Sequence, residues 1–548
     1  MKVFAFFAIL ISLAPAAQAA RYIVMMKDEA PLFAARPSFE REIAGRVESS
    51  LHQIGTYIVQ TEDPSDVERL KQNPDVVLVE EDQIIPYELE IPLYLQRAEL
   101  NISGRAPADT PVAGVPWGVA AIKAPAAWSL SRQGEGARVL LIDSGLDKTH
   151  PSLKDNFEKG RDFTGESDGS DITDIRGHGT HVAGIIAAKQ DVNGFTGVAP
   201  KAKLLMARAC FEKGCSTAAM IAAINWGVTQ KVDVMNISIS GISSTAAQDE
   251  AIKRADQAGI AVVASSGNWG SNRVFFPAAL PTVIAVGAVD PSMLRATFSQ
   301  YGPELALVAP GVDVYSTFPA TRGKVHSVKI ETSTGFSVKY LASTFGGTRE
   351  VRNSLKGELV NVGEGDSIAD YDGKNVKGRF VLVRRGKGKF MNKINNAIKA
   401  GATAIIFVNN RPGLEVGRFT EKDKTLPIAI FMIGNGNSKV IEDRLARGET
   451  VMATLQAASS GFQVLSGTSM AAPHVTGVVA LMKAANKKLK SAQIKKILMA
   501  TATPPTADNL KNQYGKGVLD AEKAVQFSTR VGSTAKTELL QPEFSVTH

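Results

Sequence analysis

An α/β fold built on a mainly parallel sheet, preceded by a small α+β module and interrupted by a second one, is the architecture this sequence predicts. Three observations carry that reading. From Trp117 onward, continuous apolar runs alternate with helix-period stretches, the pattern of strands covered on both faces. Ahead of them stands a compact block with its own strands and helices, and a third regime with its own strands, helix and turns begins near Gly335. A chain of 548 residues has room for three or four such domains. Its 44% hydrophobic and 21% charged residues suit large cores rather than disorder.

The elements follow in order. Residues 1–19 read as an export signal: Met1-Lys2 is a short positive start, Val3 to Ala14 an apolar run, and Ala17-Gln18-Ala19 a small-x-small cleavage pattern. The run is short for a membrane span and no later segment reaches spanning length, so the expected product is extracytoplasmic, secreted or periplasmic, with no membrane association after signal removal. Residues 20–87 form the small module. Strands are expected at Tyr22–Met26, Thr56–Gln60 and Asp75–Glu80, and helices over Glu40–Ile54 and Pro64–Gln72. Residues 88–116, Pro-rich and weakly periodic, read as a linker.

The main domain occupies 117–334 and 458–526. Its strands are expected at Ala137–Ile142, Lys203–Ala207, Val232–Ile237 and Ile260–Ala264, with helices over Ala218–Val228 and Ala246–Ala258. The inserted module spans 335–457, with strands at Gly378–Val383 and Ala402–Val408 around a helix at Phe390–Ala400. Residues from Gln526 read as polar and unpatterned, leaving 527–548 as a tail. A formal net charge of +8 and a pI near 9.2 are spread thinly, without a dense basic block interleaved with aromatics. Nucleic acid is therefore not an expected partner. The only two cysteines, Cys210 and Cys215, are close in sequence. Export permits a bridge and favours it over two free thiols, although Cα spacing decides between them.

Four segments carry the chemistry. Val139–Asp143 ends a buried strand on a carboxylate followed by Ser144-Gly145; such an Asp can orient an imidazole, or merely cap the turn. Gly177-His178-Gly179 places a histidine between glycines that leave room for a substrate backbone. His181, inside the helix start, is expected to be structural. Gly467-Thr468-Ser469 sets a serine at the mouth of a helix, where unsatisfied N–H groups and the positive dipole end favour an oxyanion; as a simple N-cap it would leave the surrounding Gly, Thr and Pro unexplained. Asn268, in a glycine-flanked turn after a buried strand, can donate its amide to the same oxyanion or serve as a turn residue.

Taken together, in the order Asp, His, Asn, Ser, these segments resemble the subtilisin-like serine proteases (subtilases, peptidase family S8). The resemblance extends to Val283–Asp290, Gly302–Leu305 and Val308–Val312, and covers about Trp117–Phe318 and Phe462–Ala524. It implies a three-layer α/β fold and an endopeptidase. Asp143 is the orienter, His178 the general base then acid, Ser469 the nucleophile and Asn268 the oxyanion donor. Ser238, Ile239, Ser240 and Gly241 match the family's substrate-pairing strand beside the specificity pocket, and Gly267 is placed with them. Two departures stand out: Ser240 occupies a position usually held by Gly, and Trp269 follows the oxyanion Asn. With Phe275-Phe276 closing the next loop, they favour a bulky uncharged residue before the scissile bond.

The resemblance further implies that 20–87 is an inhibitor I9-type propeptide, removed by autoprocessing within 88–116, and that 335–457 is a protease-associated (PA) domain. Removing that insert returns the long His178–Ser469 interval to an ordinary length. Expected partners are protein or peptide substrates and the chain's own propeptide, and the expected state is a monomer. The chemistry requires no cofactor. Subtilases often bind structural calcium, but Asp171, Asp174 and Asp191 form no diagnostic loop and are expected to be solvated charges, so the metal site is unknown. Arg384, Arg385, Lys387 and Lys389 are expected to form a solvated loop rather than an anion site.

Two other classes compete. A catalytically silent subtilase could act as a protein-binding scaffold, but all four chemical positions are filled. An α/β-hydrolase esterase requires Gly-x-Ser-x-Gly and the order Ser, Asp, His, and neither occurs here.

Overall fold

A computed structural model describes residues 20–27, 46–51, 56–86, 114–191, 194–320, 322–352, 354–386, 388–410, 414, 417–418, 425–434, 438–505 and 511–531. The signal segment 1–19, most of the 88–116 linker and Lys387 lie outside them. The chain divides into two compact units, 1–83 and 84–548.

In the first unit, β1 (Ala20–Met26), β2 (Arg46–Leu51), β3 (Thr56–Thr61) and β4 (Val76–Glu81) make an antiparallel sheet of order β2-β3-β1-β4. Helix α1 (Pro64–Gln72) starts on an Asp63 cap whose carboxylate accepts the Ser65 amide. Val24, Tyr57, Val59 and Leu70 form its core. The expected helix over Glu40–Ile54 is corrected: within it, 46–51 is a strand, because Arg46 to Leu51 find backbone partners along Gln60 to Thr56. Local propensity yields to the sheet edge that β3 offers.

The second unit is organised by a seven-stranded sheet. Its strands are β6 (Arg138–Asp143), β7 (Phe157–Asp162), β8 (Lys203–Arg208), β11 (Val234–Ile237), β12 (Ala261–Ser265), β13 (Ile284–Val289) and β14 (Leu307–Pro310). All pairings are parallel, in the order β14-β13-β12-β11-β6-β8-β7. Strands such as Val139–Ile142 and Ala261–Ala264 are buried on both faces, which is why they read as unbroken apolar runs. Helices α2 (His178–Ala187), α3 (Thr217–Thr229), α4 (Ala246–Gln257) and α6 (Thr468–Ala485) connect and cover them. Between β8 and α3, the short strands β9 (Cys210–Phe211) and β10 (Gly214–Ser216) form a hairpin, and β5 (Ile84–Pro86) pairs with the other edge of β10.

The inserted region has a sheet of its own: β16 (Gly323–Thr332), β17 (Ser337–Gly346), β18 (Ser354–Gly363), β19 (Phe380–Arg384), β20 (Ala404–Val408), β21 (Gly417–Arg418), β22 (Ala429–Ile433) and β23 (Val451–Ser460), with α5 (Phe390–Lys399) on one side. Because β16 pairs with both β23 and β17, the sheet closes on itself and leaves few exposed edges. The sheet runs from Gly323 to Ser460, beyond the 335–457 read from composition, since the Gly323↔Ser460 pairing zips its entry to its exit. Beyond it, β24 (Phe462–Leu465) pairs antiparallel with β15 (Val314–Thr317) and leads into α6. The expected unpatterned tail is corrected at its start: α7 (Ala521–Arg530) continues through Gln526, burying Ala521, Ala524, Val525 and Ser528 on one face. No helix among the described residues is long and apolar enough to cross a membrane.

Candidate active site

In an open parallel sheet the loops at the strands' carboxyl ends gather at one edge. Here β6 ends on Asp143, β11 runs into Ser238 and β12 into Asn268, while α2 and α6 bring His178 and Ser469 in their first turns. The Asp143 carboxylate is fully buried. Its Oδ1 accepts the Ser144 amide at 2.7 Å and faces His178 Nδ1 at 2.7 Å. Burial alone would hold the His178 imidazolium down. The charge and hydrogen bond of Asp143, together with the charge of Asp174, outweigh it and raise His178 above the ordinary imidazole value; Arg176 opposes them.

Asp174 departs from the sequence expectation. Rather than a solvated charge it is 3% exposed and accepts five hydrogen bonds. Its Oδ1 takes the Ser144 hydroxyl and the Arg176 and Gly177 amides; its Oδ2 takes the amide and hydroxyl of Thr180. Ser144 Oγ in turn accepts the Gly179 amide at 3.0 Å. One buried carboxylate therefore ties the residue after Asp143 to both sides of His178, at a helix N-terminus whose free N–H groups need acceptors. The glycines around His178 are also corrected: they make room for protein, not substrate. A Cβ on Gly177, at φ +84°, would meet the Phe318 ring, and one on Gly179 would lie 2.2 Å from the Gly145 carbonyl.

On the opposite side, Ser469 is the second residue of α6. Its hydroxyl donates to the Ser238 carbonyl at 3.0 Å instead of to His178, and the Ser238 hydroxyl donates to the Ser469 carbonyl at 2.9 Å. Asn268 is 6% exposed. Its Oδ1 accepts both the amide and the hydroxyl of Thr468 at 2.9 Å, which fixes the orientation of its amide group beside Gly467. Gly267 is tied to Thr468 Oγ1 through its amide.

His178, Ser238, Ile239, Ser240, Asn268 and Ser469 line one cleft, together with Pro86 and Cys215. Gly241 and Gly267 are not among its lining residues. Gly241 pairs with Phe276 and packs against Ile85; the Cβ that Gly267 lacks would press on Gln300 and Phe275. Phe275 is buried beneath Trp269, which is 55% exposed. Cys210 and Cys215 are joined in a disulfide across the β9–β10 hairpin.

The remaining candidates lie elsewhere. His181 is buried, with Nε2 against the Val314 and Gln463 carbonyls, and burial pushes it down to about 3. Asp171 is exposed and Asp191 half-buried, and no cluster of three His, Cys, Asp or Glu able to hold a metal occurs among the described residues. Arg384 pairs with Glu442, and Arg385 bonds Asn409. Sequence reasoning missed the orienting roles of Asp174, Ser144 and Thr468. Only Asp174 left a signal, as an acid just upstream of a helix start.

The Peptidase_S8 subtilase profile matches residues 134–348 and 390–517. M-protease of Shouchella clausii (strain KSM-K16) is 36% identical over 275 residues, half of this chain, and the chain spans 65% of that protein's length. Subtilisin Savinase of Lederbergia lenta is 40% identical over 209 residues, 38% of this chain and 76% of its own. The crystal structure of the psychrophilic subtilisin-like protease Apa1 from Pseudoalteromonas sp. AS-11 superposes with a TM-score of 0.63 at 24% identity, covering 76% of this chain and 99% of that one, a likeness of fold. Matched by the profile over more than half its length, the chain belongs to the subtilase family.

Proposed function

We propose that the chain is a serine endopeptidase that hydrolyses protein substrates through an acyl-enzyme on Ser469. The observation carrying this reading is the Asp143–His178 pair at 2.7 Å, facing Ser469 and Asn268 across one cleft. In the reaction, Ser469 Oγ turns from the Ser238 carbonyl toward His178 Nε2, loses its proton there and attacks the scissile carbonyl. The resulting oxyanion takes hydrogen bonds from the Ser469 amide and the Asn268 side chain. His178 passes the proton to the leaving amine, and a water, deprotonated by the same imidazole, then releases the acyl group. Asp143 holds the imidazole's tautomer and offsets its positive charge.

The rest of the reading concerns processing. Residues 1–19 direct export, 20–87 act as an inhibitory propeptide and 335–457 as a PA domain; the product is a secreted or periplasmic monomer. Calcium, if carried, serves stability and not the chemistry. Support for a self-inhibited precursor comes from β5: Ile84–Pro86 pairs antiparallel with Gly214–Ser216, and Pro86 stands in the cleft wall with His178 and Ser469. Cleavage is assigned within 88–116, downstream of that strand. Replacing Ser469 by Ala is expected to accumulate full-length protein lacking only the signal, seen by intact mass. Maturation of that variant in a purified system would overturn autoprocessing.

A further inference from the structure

The β9–β10 hairpin, which walls the cleft, has only two register pairs, Gly214↔Phe211 and Cys215↔Cys210. A ribbon that short does not hold itself in water. Two devices hold β10. At its C-terminal end, Ser216 caps α3 by accepting the Ala219 amide at 2.9 Å, and the Ser216 amide donates to the Ala209 carbonyl at 3.1 Å. Ala209 is itself bonded to the Asp143 carbonyl at 2.9 Å. Toward the turn, the disulfide fastens β10 to β9.

The outer edge of β10 is shaped for an extended backbone. Ile84, Ile85 and Pro86 pair there with Ser216, Cys215 and Gly214. A Cβ on Gly214 would lie 2.4 Å from the Ile85 carbonyl oxygen, so that close approach requires glycine. Ile85 is buried at 8% exposure while Ile84 is 44% exposed, the alternation of a strand laid against a surface.

We propose that the Cys210–Cys215 bridge is a positioning element for substrate, keeping the β10 edge formed so that an extended peptide pairs with it without first ordering it. This rests on the endopeptidase reading. With the bridge open, the hairpin must be ordered at each binding event, and the penalty falls on KM for any peptide long enough to reach Gly214–Ser216. A short ester, which reaches only Ser469, Ser238 and Asn268, is spared. These are the only cysteines in the chain, so opening the bridge disturbs no other disulfide and offers no alternative pairing.

The test compares Cys210→Ser/Cys215→Ser with the wild type on an extended peptide amide and on a single-residue tyrosine ester. The ratio of kcat/KM for peptide over ester is expected to fall on the order of tenfold, with the loss in KM. An unchanged ratio, peptide and ester declining together, would overturn the proposal. Ester cleavage by the wild type tests the endopeptidase reading, and the ratio tests this one. A second readout needs no activity: hydrogen exchange of full-length Ser469→Ala with and without the bridge. Faster exchange confined to residues 84–85 and 214–216 is expected. Unchanged exchange there, or equal loss across the β6–β12 sheet, would refute the positioning role.

Discussion

The two halves of the candidate site are built differently. The Asp143–His178 half is assembled before any substrate arrives. A 2.7 Å contact joins the pair, and Asp174 binds Ser144, Gly177 and Thr180 so that neither strand end nor helix start can shift alone. The Ser469–Asn268 half is only partly set. Asn268 is locked by Thr468, yet the Ser469 hydroxyl rests on the Ser238 carbonyl. In the proposed reaction the base is thus fixed by folding, while the nucleophile has a single-bond rotation left to make. Catalytic hydrogen bonds that tighten only around a bound substrate are common.

That contrast can be attacked at several points. The largest effect is expected from Asp143→Asn, which leaves the imidazole in the wrong tautomer. A kcat loss of about 10,000-fold, the magnitude known for trypsin-like triads, should appear with unfolding behaviour little changed. A loss below tenfold would mean the preformed half is not what drives the reaction. Next comes Asn268→Ala, expected to lower kcat by about 100- to 1000-fold with KM nearly unchanged, the range that losing the equivalent donor costs a subtilisin. A kcat within a few-fold of wild type would remove Asn268 from the oxyanion site.

The smallest kinetic effect is expected from Asp174→Asn, read in the pH profile. His178 accepts a proton only when neutral, and Asp143 and Asp174 raise its pKa against burial and Arg176. Removing the Asp174 charge lowers that pKa, so the acid limb of kcat/KM should move to lower pH. A limb that stays in place would reduce Asp174 to a purely structural acceptor. Asp174→Ala should also destabilise the fold by on the order of 3 kcal/mol, seen in chemical unfolding, because the buried donors of Ser144, Gly177 and Thr180 lose their partner.

Much of this was legible in the sequence because its signals were local. Val139–Asp143 is an apolar run ending in an acid. Gly177–Gly179 and Gly467–Ser469 mark helix starts, and His178 and Ser469 reach the same cleft. What escaped depends on partners distant in the chain. Asp174 looks like one more loop acid until Ser144, thirty positions upstream, supplies a donor and the fold buries it. Arg46–Leu51 has nothing in its own composition to demand a strand; the partner is β3. The glycines beside His178 announce a close approach without saying what approaches, and the answer is Phe318 and Gly145. At the C-terminus, polar residues masked an amphipathic face with only four buried positions.

The most direct measurement is labelling with a fluorophosphonate, which requires a base-activated serine beside an oxyanion site. The wild type should be labelled, with peptide mapping placing the adduct on Ser469, and labelling should vanish in Ser469→Ala and in His178→Ala. An unlabelled wild type with its propeptide removed, or an adduct that survives Ser469→Ala, would contradict the account and favour a silent scaffold or another nucleophile.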